Sequence, residues 1–199
     1  MSPPVRGGRA PAPRITLREP DPGGMASLRP WFAAGWLDVR GLGAQSAHEA
    51  PTPEDWLAAA AVGETSLLIT LDAAVVGYLR CRLSDPDCGI TELAVRPDVR
   101  NLGYGSEAVF ALEALAATAG GRQGVALVPR ANGLAIYFWL RIGYRPAYPR
   151  PAPLPGFTAM VRDLANEAHR GARGSGSRIG GRRSGGRARS PAPAPRRSR

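Results

Sequence analysis

Two glycines and one carboxylate are the residues of this 199-residue chain whose types and spacing point most directly to chemistry. In Arg100-Asn101-Leu102-Gly103-Tyr104-Gly105 the glycines stand between a segment that reads as a strand, Ile90-Thr91-Glu92-Leu93-Ala94-Val95, and one that reads as a helix. That helix begins near Gly105-Ser106 and carries Val109, Leu112, Leu115 and Ala116 at helical spacing. A turn with two glycines leaves its backbone N–H groups open to a ligand, because no Cβ blocks the approach. At a helix N-terminus those N–H groups and the positive end of the dipole form an anion site, for which a pyrophosphate is the natural guest. The same spacing also suits an ordinary tight strand-to-helix turn. The carboxylate is Glu92, which on a strand points opposite to Leu93. A carboxylate amid Ile90, Leu93 and Val95 needs a reason. Beneath a cleft, partial desolvation would favour proton uptake, directly or through water, which is the work of a general base. On a solvent-facing strand it would instead pair with an arginine such as Arg80 or Arg82.

Val95-Arg96-Pro97-Asp98-Val99-Arg100-Asn101-Leu102-Gly103-Tyr104-Gly105 resembles the acetyl-coenzyme A signature of the GNAT superfamily of N-acetyltransferases. A second element follows, since Asn132-Gly133-Leu134-Ala135-Ile136-Tyr137-Phe138-Trp139-Leu140-Arg141-Ile142-Gly143-Tyr144 resembles the family's N-x-x-A-x-x-x-Y-x-x-x-G-F/Y segment. The resemblance covers roughly residues 15 to 165 and implies acetyl-coenzyme A as cosubstrate. Leu102, Gly103, Tyr104, Gly105 and Ser106 would then offer N–H groups to the pyrophosphate, with Asn101 in the same loop and Arg100 as a positive charge nearby. By the same resemblance, main-chain groups of Leu93, Ala94 and Val95 pair with the pantetheine arm, and one N–H polarises the thioester carbonyl. As plain core strand the same residues would pack through their side chains, and the two roles are compatible. Asn132 matches a position that hydrogen-bonds the cofactor, and is equally at home as a helix N-cap. Trp139 stands where the family has a thiolate-protonating tyrosine, and an indole N–H is too weak an acid for that role. Tyr137, two residues away, is rotated by about 200° and faces elsewhere. Either solvent, Tyr144 or Tyr104 protonates the thiolate, or the acid step matters little because coenzyme A thiolate is a tolerable leaving group, and Trp139 is left to shape the pantetheine channel.

The elements that must position these groups follow from periodicity and punctuation. Ile15 to Glu19 reads as a first strand. Leu28, Trp31, Phe32 and Leu37 suit helical packing between Gly24 and Leu42, broken by Pro30 and Gly35, and residues 43–51 read as loop. Thr52-Pro53-Glu54-Asp55 starts a helix with a capping hydroxyl, proline at the first position and acids in the first turn, expected to run to Val62. Ser66–Leu71 and Val75–Leu83 form a hairpin around Asp72-Ala73-Ala74. Gly89–Val95 is the central strand, and Gly105–Ala119 a helix ended by Gly120-Gly121. Gly124–Val128 is a strand, Asn132–Ile142 a helix, and Tyr144–Tyr148 and Phe157–Asp163 the last strands, separated by a proline-rich loop. This order predicts an α/β fold with a mixed sheet and helices on both faces, and the resemblance implies that the sheet is of the GNAT type and mostly antiparallel. The region 24–62 would roof an acceptor cleft, with Trp31, Trp36 and Trp56 as lining or, more commonly for such spacings, as core.

Charge is distributed unevenly. Residues 170–199 hold 10 arginines and no acid, and residues 1–14 hold 3 arginines and no acid. The segment 15–169 therefore carries 13 arginines against all 16 acids, so the overall +10 belongs to the ends. Residues 1–14 and 170–199 have almost nothing apolar to bury and are expected to be disordered. The Arg/Gly-rich segment could contact nucleic acid or ribosomal surface through phosphates, or be a solvated extension. Cys81 and Cys88 flank Ser84-Asp85-Pro86-Asp87, where a structural disulfide is not expected, and two thiols without nearby histidines make a poor zinc site. Met1 to Arg6 lacks a signal-peptide core and no apolar run is long enough to span a bilayer, so the expectation is a soluble cytoplasmic protein. The functional expectation is transfer of an acetyl group to a primary amine by direct attack, the amine being a protein N-terminus or a small molecule such as an aminoglycoside. The rival is a non-catalytic acyl-coenzyme A sensor of the same fold with a nucleic-acid-docking tail. Deleting residues 170–199 should leave the thermal midpoint and acetyl-coenzyme A affinity unchanged in calorimetry, and a clear loss of stability would show that the segment packs on the domain.

Overall fold

The computed structural model describes residues 14–42, 48–84, 87–147 and 155–165. The expectations for residues 1–13, 148–154 and 170–199 lie outside the described residues. Strand β1 (Ile15–Arg18) leads to helix α1 (Pro22–Leu28), capped by Asp21, whose Oδ1 accepts from the Gly24 N–H at 2.6 Å. Helix α2 (Phe32–Arg40) passes through Gly35 without interruption and ends at Gly41, whose φ of 68° is left-handed. Helix α3 (Pro53–Ala58) begins at Thr52, whose hydroxyl accepts from the Asp55 N–H at 3.1 Å. It stops four residues short of the expected Val62. Beyond Leu57 the alanines and Val62 are largely exposed, so nothing they bury supports another turn.

Strands β2 (Glu64–Leu71) and β3 (Ala74–Ser84) form the expected hairpin, turned by Asp72 and Ala73 at φ 47° and 71°. Strand β4 (Asp87–Val95) is followed by a 3-10 turn, Pro97–Val99, and by helix α4 (Tyr104–Thr118). Strand β5 (Gln123–Pro129), helix α5 (Gly133–Arg141) and strands β6 (Arg145–Pro146) and β7 (Phe157–Asp163) complete the described chain. The expected strand from Tyr144 is thus reduced to two residues. Tyr144 is drawn into the core at the end of α5, and the last described bond to β7 beyond Pro146 is from the Ala147 N–H to the Ala159 carbonyl at 3.0 Å.

The seven strands make one sheet in the order β1-β2-β3-β4-β5-β7-β6, with β4–β5 its parallel pair and the rest antiparallel. Helices cover both faces. On one face α4 and α5 bury Val109, Leu112 and Trp139 against Ile69, Leu79 and Ile90. On the other, α1, α2 and α3 bury Leu28, Phe32 and Trp56 against Leu68, Tyr78 and Ala94. Beneath α4 the Tyr144 hydroxyl donates to Glu113 Oε1 at 2.8 Å and Arg162 donates to Glu113 Oε2 at 2.9 Å, a buried and paired polar group. Gly124 leaves the space that the phenol fills, because a Cβ there would collide with the Tyr144 hydroxyl. Gly124→Ala is therefore expected to cost about 1–3 kcal/mol, the range for overpacking a filled core, read as a lowered midpoint in urea or thermal unfolding.

Candidate active site

Strand β4 is where the sheet divides. Its pairing with β5 runs from Asp87 opposite Gln123 to Ile90 opposite Ala126 and goes no further. Its pairing with β3 continues to Val95 opposite Gly77, while β5 pairs with β7 along its whole length. From Thr91 to Val95 the edge of β4 that faces β5 therefore has no strand partner among the described residues. A one-residue bulge marks the division, because Arg80 pairs with Glu92 but Cys81 pairs with Ile90, leaving Thr91 over. Before the bulge, Cys88 and Ile90 face the α4–α5 side; after it, Leu93 packs there while Ala94 faces the α1–α3 side. Glu92 accordingly turns toward α2 and α3.

There Glu92 is buried, with 4% of its side chain exposed, and both oxygens are bonded. Arg40 Nη2 of α2 donates to Oε1 at 2.6 Å, and the Trp56 indole N–H donates to Oε2. Arg80 donates to the Trp56 carbonyl and lies over its ring, 4.6 Å from the centroid, so it holds the tryptophan that holds the carboxylate. Glu92 is thus buried as a base would be and paired as a structural residue would be, with Arg40 as partner in place of the expected Arg80 or Arg82. A cleft of about 180 Å³ opens at the division, with Glu92 and Thr91 on its β4 wall, Arg40 at the end of α2 and Leu127 and Phe157 opposite. Trp56 is core, stacked edge-on to Tyr78 at 4.9 Å, and Trp31 packs on the same ring.

At the other end of the division, Asn101 and Gly103 take left-handed φ values of 64° and 91°, folding the loop tightly before α4. Gly103 is the N-cap and no side chain caps the helix. The first intrahelical bond is Glu107 N–H to Gly103 carbonyl, so the N–H groups of Tyr104, Gly105 and Ser106 are not consumed by the helix. Leu102 is exposed beside them. An unpartnered strand edge leading to an uncapped helix N-terminus fits an extended, amide-bearing arm that ends in an anion.

The remaining expected site residues are placed as follows. Arg100 donates to the Val95 carbonyl at 3.0 Å and pairs with Asp38 of α2 at 2.7 Å. Asn132 caps α5, its Oδ1 accepting from Ala135 N–H at 3.0 Å, and its Nδ2 donates to the Asp38 carbonyl at 2.6 Å. Trp139 is packed in the core against Phe138 and Tyr144, while Tyr137 on the opposite side is 64% exposed. Tyr144 is committed to Glu113 and buried, and burial pushes its phenol far above the usual range, which removes it as a proton source.

Three participants carried no signal in the sequence. Phe138 lies beside the start of α4, where a Cβ on Gly105 would be 3.5 Å from its ring and 3.4 Å from Val95. Arg14 donates to the carboxylate of Glu107 in the first turn of α4, with its guanidinium 5.3 Å from the Tyr104 ring centroid. Asp38 touches both Arg100 and Asn132.

A sequence profile described as the acetyltransferase (GNAT) family matches residues 25–144. Comparison with curated protein sequences gives no match. Among solved structures, the PaiA N-acetyltransferase of Thermoplasma acidophilum in complex with coenzyme A is 13% identical, with 75% of this chain and 98% of that one covered and a TM-score of 0.59. An acetyltransferase from Thermus thermophilus is 24% identical, with 75% and 96% covered and a TM-score of 0.57. The ribosomal-protein-S18-alanine N-acetyltransferase of Escherichia coli is 13% identical, with 75% and 94% covered and a TM-score of 0.52. At these identities the likeness is one of fold. Among the described residues no helix is long and apolar enough to cross a membrane, and no cluster of metal-ligating side chains occurs.

One buried group near Glu92 is unsatisfied. Among the described residues the Tyr78 hydroxyl has no hydrogen-bond partner, and burial, with the charge of Glu92 second, pushes its phenol well above the usual range. An unmade hydrogen bond of this kind costs about 1–3 kcal/mol. Tyr78→Phe is therefore expected to raise the unfolding free energy by about 1 kcal/mol, measured by urea denaturation; a loss of stability would show that the hydroxyl is bonded in solution.

Proposed function

The chain belongs to the acetyltransferase (GNAT) family, and from that premise we propose that it acetylates a primary amine bound in the cleft beside Glu92, by direct attack. Acetyl-coenzyme A is the family's cosubstrate and supplies the acyl carbon as an activated thioester. The unpartnered edge of β4 at Leu93, Ala94 and Val95 would hold the pantetheine arm. Gly103, Tyr104, Gly105 and Ser106 would hold the pyrophosphate through main-chain N–H groups, with Asn101 and Leu102 shaping the loop. Arg100, in the same loop but paired with Asp38, would add positive charge, and Asn132 would reach the cofactor only by giving up one of its bonds to Ala135 and Asp38. Phe138, whose ring lies close to Gly105 at the start of α4, would line the channel in place of Trp139.

The observation that carries the reading is a buried carboxylate beside the point where β4 and β5 part. An ammonium must lose a proton before its nitrogen can attack, and Glu92 is the buried carboxylate on the cleft wall that would take it. Direct attack is supported by the cysteines. Both lie on the opposite face of the sheet, and burial pushes the thiols of Cys81 and Cys88 up to about 11 and about 12, so neither is a nucleophile. The Arg40 pair on Glu92 and the burial of Trp139 favour a second reading, a non-catalytic acyl-coenzyme A sensor.

Release of free thiol from acetyl-coenzyme A across an amine panel separates the two. The transferase reading predicts amine-dependent thiol release that falls about 10²-fold or more in Glu92→Gln, the usual worth of a general base, with coenzyme A affinity retained. Binding of the cosubstrate without thiol release by any amine would leave the sensor.

A further inference from the structure

Resting on the transferase reading, we propose that the acceptor is a free α-amino acid, held as a zwitterion with its ammonium at Glu92 and its carboxylate on Arg40.

The cleft presents one anion and one cation side by side, at 2.6 Å. An amine that carries only positive charge shares or competes for Glu92 with Arg40 and brings no anion to the guanidinium. A zwitterion exchanges with the pair instead. Its ammonium replaces the guanidinium at the carboxylate, and its carboxylate replaces Glu92 at the guanidinium, so no charge is stranded. Arg40 is equipped for this exchange, since 41% of its side chain is exposed, whereas Glu92 is enclosed. A guanidinium has five N–H donors in a planar fork. Arg40 spends one hydrogen bond on Glu92 and makes no other among the described residues, resting against the Trp36 ring at 5.4 Å. The remaining donors suit the two oxygens of a carboxylate.

The rest of the cleft agrees with a small zwitterion. Glu64 also lines it, and its Oε1 already accepts from Thr91 Oγ1 at 3.4 Å, which places a second acceptor near the ammonium. Arg80 balances that charge, so the lining is two acids and two arginines, with no excess of acid to attract a polycation such as an aminoglycoside. Val39, Leu127 and Phe157 supply an apolar wall for a side chain. The cleft's volume, about 180 Å³, lies below the roughly 300–1,000 Å³ typical of sites for drug-sized ligands.

L-leucine and L-leucinamide test the idea, because they differ in the carboxylate and share the amine and side chain. The wild-type kcat/KM is expected to favour leucine by about 10- to 100-fold, the worth of a charge-assisted hydrogen bond pair. In Arg40→Gln that ratio should fall to near one, with circular dichroism showing the fold retained. Equal or better use of leucinamide, or of the N-terminal amine of a leucyl peptide, would overturn the proposal and make the substrate a peptide end. Calorimetry on the protein saturated with coenzyme A keeps the test independent of turnover. If no amine is acetylated yet leucine binds, leucinamide does not, and Arg40→Gln abolishes the difference, the transferase reading fails and the zwitterion site stands. If neither compound is turned over or binds, the zwitterion site falls.

Discussion

The extra residue at Thr91 determines which side of the sheet every later residue of β4 occupies. Side chains on a strand alternate, so a strand that begins with Cys88 and Ile90 facing α4 would carry Glu92 and Ala94 into the same layer. A carboxylate there would lie among Val109, Leu112 and Ile142 without partners. The bulge flips the alternation once, delivers Glu92 to Trp56 and Arg40, and turns Leu93 back into the layer that Ile90 left. It stands immediately beyond the last β4–β5 pair, so the reversal of faces and the parting of strands occur at one place.

Helix α2 completes that place from the other side. Its last turn holds Asp38, Val39 and Arg40, and these reach Arg100 in the loop before α4, the cleft wall and the buried carboxylate respectively. The Asp38 carbonyl also receives the Asn132 amide that caps α5. One helical turn therefore ties together segments on both sides of the division. Arg80 fixes the Trp56 ring from below, so Glu92 is oriented by a chain of contacts that begins on β3 and ends on α2.

The parts of this arrangement legible in the sequence are local ones. Gly103 and Gly105 announce a tight turn because few other residues tolerate it, and the strands and α4 show their periods directly. Glu92 stood out as a charge in apolar company. Its partner did not, because Arg40 lies 52 residues away and nothing local links them. The end of α3 is hidden from the sequence for a related reason: alanines favour helix intrinsically, and only the absence of anything to bury stops it. Choosing between Phe138 and Trp139 was beyond periodicity, since Ile136 to Leu140 is apolar all round and one residue turns the helix by about 100°. Asn132 is legible as a cap or as a ligand from the same atoms, and its bonds to Ala135 and Asp38 use both ends of the amide.

Strand β7 lies between β5 and β6 in the sheet although it is made after both. As the chain is synthesised, β5 can pair with β4 only as far as Ala126, and its other edge stays bare until Phe157–Asp163 appears. In the other half, β2, β3 and β4 pair in sequence order, while β1 joins β2 from beyond three helices. The far wall of the cleft depends on the last strand described, so a chain halted before Phe157 leaves one edge of β5 unpaired, the kind of bare edge that invites pairing with other chains.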